Sequence, residues 1–102
     1  MKQIMILCQN TGQTAAFKRT ILAYTDKLNF KINWIFKNHI TYDEYMRNDK
    51  IDLVLFTPEV LIYEKKIMEH LNSHGVKFIQ LEPMDYGLRR VDNIMKNLEI
   101  FL

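Results

Sequence analysis

The sequence is poor in residues that staple, break or loosen a chain: one cysteine, three glycines, two prolines and one tryptophan among 102 residues. A single cysteine, Cys8, excludes an internal disulfide and the disulfide-framed secreted scaffolds. The expected compartment is a reducing one, where a lone thiol is either inert packing or chemistry. So little Gly and Pro excludes collagen-like and low-complexity chains. Charge excess is also lacking. Fourteen Lys and Arg against twelve Asp and Glu leave +2, too mild a balance for nucleic acid or a membrane surface. Only five apolar residues run together near Lys2, Ile4 to Cys8, which is no signal peptide. No stretch approaches the ~18 residues needed to cross a bilayer.

What is present is globular: 48% apolar and 25% charged residues. The length suits one domain, residues 1–102, and such a chain buries roughly 60–70% of its unfolded surface, enough for a core without staples.

Helical and extended patterns alternate along the chain. Ile4-Met5-Ile6-Leu7 is a continuous apolar run, which predicts a strand buried on both faces. Gln9–Gln13 read as a loop. Phe17, Ile21, Tyr24 and Leu28 then share one face of an amphipathic helix from Thr14, with Asn29 at its stop. Phe30, Ile32, Trp34 and Phe36 alternate with polar residues, broken only by Ile35, as in an edge strand with one wet face. Thr41 and Glu44 have capping-box spacing before a short helix through Met46. Ile51–Phe56 predict a second inner strand. Thr57-Pro58 starts a helix with Val60, Tyr63, Ile67 and Leu71 inward, closed at His74-Gly75. Val76–Leu81 read as a fourth strand, Pro83 opens a turn region, and Leu88, Val91, Met95 and Leu98 form a last helix face.

Successive β-α units imply an open parallel sheet with helices on both faces. Two inner strands and one edge strand are satisfied by the order 2-1-3-4. The topological switch point then lies between the first and third strands, and ligands of such sheets bind beyond the strands' carboxyl ends there. The loop beginning at Cys8 and the loop holding Thr57, Pro58 and Glu59 should meet at that crevice.

The segment Cys8-Gln9-Asn10-Thr11-Gly12-Gln13-Thr14-Ala15 runs from strand into helix. Loops of this kind turn backbone N–H groups inward beside a helix N-terminus, a combination that binds phosphate and favours a thiolate over the free-thiol pKa of about 8.5. Gly12 would permit a positive φ or close approach of an anion, and Thr11 and Thr14 add hydroxyls. Composition alone favours Cys8 as a small buried residue ending a core strand. The strand-loop-helix setting with Gly12 turns the reading toward a nucleophile in a phosphate cradle, with a depressed pKa.

Low-molecular-weight cysteine phosphatases use a Cys-x5-Arg loop whose arginine clamps the phosphate. Here that position is Thr14, and the nearest arginine is Arg19, a turn into the helix. Hydrolysis loses a main electrostatic contributor without the clamp, which disfavours a phosphatase or arsenate reductase. A sulfur that holds phosphate but hydrolyses it poorly is suited to passing it on.

At these residues the chain resembles IIB subunits of the sugar phosphotransferase system, lactose/cellobiose (chitobiose) class. Cys8-x-x-Thr11-Gly12-x-Thr14-Ala15 resembles the lactose-type phosphocysteine loop, Cys-x-x-Ser-Gly-Thr-Ser-Ala. Thr57-Pro58-Glu59-Val60 with Tyr63 resembles the Pro-Gln-Val segment after the third strand, and Met84-Asp85-Tyr86-Gly87 the cellobiose-type stretch after the fourth. The resemblance implies a phosphotyrosine-phosphatase-like fold and a phosphocarrier. Cys8 would accept a phosphoryl group from a histidine of a IIA partner and donate it to a sugar, often a β-linked disaccharide, held by the membrane subunit IIC. The backbone of Gln9, Asn10, Thr11, Gly12, Gln13, Thr14 and Ala15 would hold the phosphate, with Pro58, Glu59 and Tyr86 at the rim. It further implies no cofactor or metal, a protein monomeric on its own, and a cytoplasmic place at the inner membrane through IIC.

Three departures stand out. Gln13 replaces a hydroxyl residue, Glu59 a glutamine, and Leu61 a common arginine. A carboxylate about 4 Å from a phosphoryl charge repels it by up to about 4 kcal/mol at an effective dielectric constant near 20. A regulatory or binding module with the same fold and reduced transfer is the alternative reading.

Other candidates are weaker. His70 and His74 are four apart, a spacing open to metal, but no third ligand is evident and the last turn of a helix accounts for both. His39 carries no signal. Lys65-Lys66 and Arg89-Arg90 read as solvated faces. Met84, Tyr86 and Leu88 either pack the last helix or form an apolar rim for a partner.

Overall fold

A computed structural model describes residues 1–101. The sheet is parallel and four-stranded in the order 2-1-3-4, as the apolar patterning requires. Its strands are β1 (Lys2–Leu7), β2 (Ile32–Lys37), β3 (Leu53–Phe56) and β4 (Phe78–Gln80). The helices are α1 (Gly12–Lys27), α2 (Tyr42–Asn48), α3 (Glu64–Ser73), α4 (Pro83–Gly87) and α5 (Val91–Leu98).

Successive side chains of a strand point to opposite faces, and β1 feeds two cores. Ile4 and Ile6 join Phe17 and Ile21 of α1, Tyr86 of α4 and Val91, Ile94, Met95 and Leu98 of α5. Met5 and Leu7 join Tyr42 of α2, Val60, and Ile67 and Leu71 of α3. Each fully buried aliphatic side chain contributes about 1.5–3 kcal/mol, so the central strands fix the register. The break at Ile35 has its cause here: Trp34 faces the first core and Ile35 the second, because both sides of β2 are covered at that level.

Several local expectations give way to tertiary demands. Leu28 caps α1 and is half exposed; Thr25 takes the buried position and accepts a hydrogen bond from Trp34 Nε1 at 3.1 Å. Asn29 stops the helix with φ 58°. The capping box at Thr41 does not form. Asn38 Oδ1 instead accepts from the Ile40 and Thr41 N–H groups and from the Thr41 hydroxyl, and α2 runs on to Asn48. After Thr57 the chain winds as a 3₁₀ segment, Pro58–Tyr63, before α3 begins. Leu88 is exposed rather than part of the last helix face, because Arg89 at φ 52° separates α4 from α5.

Candidate active site

Cys8 follows β1 directly, is fully buried, and lies at the carboxyl end of the sheet. The N–H of Thr57, after β3, donates to the Leu7 carbonyl at 3.2 Å, and its hydroxyl to the same oxygen at 2.8 Å. These two bonds join the crevice loops at their roots, where sheet order alone placed the switch point. Thr57 therefore acts as a tie between strands rather than as a helix cap.

The loop after Cys8 turns at Asn10, which carries φ 58°. Of the two roles open to Gly12, a positive φ or close approach of an anion, the first is not used; Gly12 opens α1, and a Cβ there would meet no atom within 4 Å. Asparagine tolerates the left-handed region that other non-glycine residues enter at about 1–2 kcal/mol. Asn10→Val is thus expected to lower stability by about 1–2 kcal/mol and Asn10→Gly to leave it nearly unchanged, as read by denaturant unfolding.

The donors of the loop divide in two. Thr11 is the N-cap of α1: its hydroxyl accepts from the Thr14 N–H at 3.2 Å and its carbonyl from the Ala15 N–H at 3.1 Å. The Thr14 and Ala15 amides are therefore engaged in starting the helix. The N–H groups of Thr11, Gly12 and Gln13 belong to the helix start that the helical ladder leaves over. Gln13 is exposed, and its amide nitrogen lies 3.4 Å from where a Cβ on Gly87 would sit, which brings the segment after β4 to the same rim.

Glu59 lies inside this arrangement. Its Oε1 accepts from the Gln9 N–H at 2.8 Å and the Thr14 hydroxyl at 2.6 Å, and its Oε2 from the Thr11 hydroxyl. Burial works against its charge, but the hydrogen bonds from Thr11, Thr14, Gln9 and Tyr86 outweigh that cost and hold the carboxyl below the usual range.

Tyr86, expected at the rim, is buried beneath the loop. Its ring packs on Phe17 with centroids 4.8 Å apart, and its hydroxyl is 3.1 Å from Thr14 Oγ1. Burial, with the negative charges of Glu59 and a Cys8 thiolate, pushes its pKa up to about 12 against the Thr14 hydrogen bond.

The Cys8 thiol also departs from expectation. Its pKa is raised, first by burial and further by the Glu59 charge, and the Asn10 N–H, the Thr14 hydroxyl and Lys18 oppose this without prevailing. The sulfur lies 3.7 Å from the Lys37 carbonyl oxygen, to which a neutral thiol donates. A helix N-terminus depresses a thiol only where burial and a nearby carboxylate do not outweigh it.

Two contributors escaped the sequence reading. The Lys37 carbonyl, at the end of β2, receives both the Cys8 N–H (3.0 Å) and its thiol. Lys18 supplies a cation that favours the thiolate, one helical turn after Thr14 on α1, and the spacing of four from Thr14 was the available signal. Pro58 stands at the first position of the 3₁₀ segment, as its fixed φ suits.

Away from this site, His70 Nδ1 is 2.7 Å from the Tyr42 hydroxyl, which ties α3 to α2, and His74 Nδ1 is 3.0 Å from the His70 carbonyl at the end of α3. Among the described residues no His, Cys, Asp and Glu side chains gather in a metal-holding group. His39, silent in the sequence, stacks on Tyr63 with centroids 3.6 Å apart. Met84 and Leu88 are exposed while Tyr86 is buried, so the three do not act together. Among the described residues no helix is long and apolar enough to cross a membrane.

No family model matches the chain, and no curated protein matches it. Among solved structures, it is similar to the lactose-specific IIB component domain of the phosphoenolpyruvate:carbohydrate phosphotransferase system from Streptococcus pneumoniae. The TM-score is 0.71 at 14% identity, over 93% of this chain and 95% of that one. The order 2-1-3-4 and this overlay together show that the chain has the fold of a phosphotransferase-system IIB domain.

Proposed function

We propose that the chain, residues 1–102, is a IIB phosphocarrier of a sugar phosphotransferase system, of the lactose/cellobiose class. One observation carries this reading: in a IIB fold, the only cysteine of the sequence stands at the switch point, under a loop of anion-binding donors.

The raised pKa keeps Cys8 a thiol at rest, so the transfer has to move its proton. Cys8 Sγ attacks phosphorus of a phosphohistidine on a IIA partner. The S–P bond forms as the P–N bond breaks, and the thiol proton passes to the departing imidazole nitrogen. Charge on the equatorial oxygens is met by the N–H groups of the helix start, including Gly12 and Gln13, and by the Thr11 and Thr14 hydroxyls. In the second transfer a sugar hydroxyl held by IIC attacks phosphorus, the S–P bond breaks, and its proton restores the thiol. The absence of an arginine at position 14 keeps loss to water slow.

The partners meet the chain at the sheet's carboxyl end. Ile40 follows β2, Leu61 and Ile62 follow β3, and Met84 and Leu88 follow β4, and all five are exposed. Apolar side chains around a polar centre suit protein docking, at the cytoplasmic face of a membrane where IIC holds the sugar.

Mass spectrometry after incubation with a phosphorylated IIA subunit, itself shown to phosphorylate a IIB protein, tests the reading. One phosphoryl group on Cys8, labile as a thiophosphate, is the expected result. An unmodified protein would leave the second reading, a regulatory or binding module, which the occupation of the loop donors by Glu59 favours.

A further inference from the structure

The reading of the Cys8 loop as a phosphoryl cradle supplies the starting point, and the Glu59 side chain extends it. A cradle for a phosphoryl dianion works by converging donors. In this chain three of those donors are already satisfied by an anion of the protein's own. The Gln9 N–H and the Thr14 hydroxyl reach one carboxylate oxygen at 2.8 and 2.6 Å, and the Thr11 hydroxyl reaches the other. The carboxylate comes from a segment about half the chain away, after β3, so the contact is tertiary and not a local turn. Carboxylate and phosphoryl oxygens demand the same donors, and two anions cannot share them without strong repulsion. Neither a lysine nor an arginine pairs with Glu59 in an ion pair among the described residues. The loop donors are what hold it.

We propose that Glu59 is an internal latch, its carboxylate filling the anion seat beside Cys8 in the unloaded protein, so that it must swing out before a phosphoryl group can settle there. The latch makes loading conditional. The unloaded cradle is pre-formed but filled by the carboxylate, and free anions such as inorganic phosphate are kept from a site that has to accept phosphate only from a docked donor. An amide at position 59 carries no charge: its one carbonyl oxygen could take the Gln9 and Thr14 bonds, and its NH₂ could donate to a phosphoryl oxygen. The carboxylate can only compete.

The test uses tungstate, a tetrahedral dianion, titrated calorimetrically into the wild-type protein, Glu59→Gln and Glu59→Ala, with amide NMR signals of Gln9 and Gly12 reporting where it binds. Charge-assisted hydrogen bonds are worth enough that release of the latch should tighten tungstate binding about tenfold or more in the variants, with both signals shifting. A gain in Glu59→Ala alone also supports the latch, since an amide still fills the seat. Equal affinities in all three proteins, or a gain without movement of the Gln9 and Gly12 signals, would overturn it. Thermal melts check folding, and if Glu59→Ala is unfolded, Glu59→Ser, which also lacks the carboxylate, takes its place in the comparison. The same proteins offered phosphorylated IIA separate the two ideas. Tighter tungstate binding with no phosphoryl uptake by any of them removes the carrier reading and keeps the latch. Uptake by all three with unchanged tungstate affinity removes the latch and keeps the carrier.

Discussion

Replacing Cys8 by serine should abolish phosphoryl uptake from a phosphorylated IIA subunit while the protein stays folded. The side chain is fully buried and its sulfur faces the Lys37 carbonyl, so a near-isosteric hydroxyl has an acceptor waiting and the stability change should stay within about 1 kcal/mol. The hydroxyl is a far weaker nucleophile than sulfur. The same residue gives a pH signature. Burial first, and then Glu59, raise the thiol pKa, so the rate of alkylation by iodoacetamide should still be climbing above the ordinary thiol range of about 8.5. The midpoint of that profile, rather than the absolute rate, isolates ionisation from access. A midpoint below the ordinary range, or phosphorylation of Cys8→Ser at the wild-type rate, would contradict the assignment. A raised pKa of this kind stabilises the fold below the unfolded-state pKa, and that contribution is lost as pH rises through the folded value.

The expectation for Cys8 ionisation was the opposite, and the reason shows where sequence reading stops. The loop and helix N-terminus are local, written in Cys8 to Ala15, and they do favour a thiolate. Burial and the Glu59 carboxylate are tertiary, and together they prevail. Sheet order was legible because continuous apolar runs in β1 and β3 admit only inner positions, while the alternation of β2 admits an edge. The meeting of the Cys8 and Thr57 loops followed from that order. The position of Glu59 near the cradle was legible, but the direction of its side chain was not. Asn10 rather than Gly12 takes the left-handed turn, because asparagine tolerates it and glycine is free to serve the helix start. For Met84, Tyr86 and Leu88 the sequence left packing and rim both open. The short helix α4 divides them: it turns Tyr86 inward onto Phe17 and leaves Met84 and Leu88 exposed.

That inward turn leads to the second large effect, on stability. Tyr86 is among the largest fully buried side chains, packed on Phe17 beneath the loop. Truncation to alanine removes the ring and leaves a cavity between α1 and α4, for which about 3–5 kcal/mol is expected. For a domain of this length, each kcal/mol lowers the melting temperature by roughly 4–8 °C. Tyr86→Phe keeps the ring and removes only the hydroxyl 3.1 Å from Thr14 Oγ1. Its cost should be about 1 kcal/mol near neutral pH, since Thr14 retains its bond to Glu59. The hydroxyl's share shows at alkaline pH, where the wild type and Tyr86→Phe should converge. In the folded protein the Tyr86 pKa lies at about 12, above its ordinary value of 10.0. The neutral phenol is therefore favoured by folding, and its contribution is complete below the unfolded pKa and drains away as pH climbs toward the folded one. Tyr86→Phe has no such phenol to ionise, so its deficit relative to the wild type should shrink as pH passes the ordinary tyrosine range. Denaturant unfolding across that range, with the phenolate absorbance difference between the two proteins as a titration of this one tyrosine, measures both quantities. A deficit independent of pH, with Tyr86 ionising at its ordinary value, would mean that the ring stands at the surface after all and does not support the floor of the Cys8 loop.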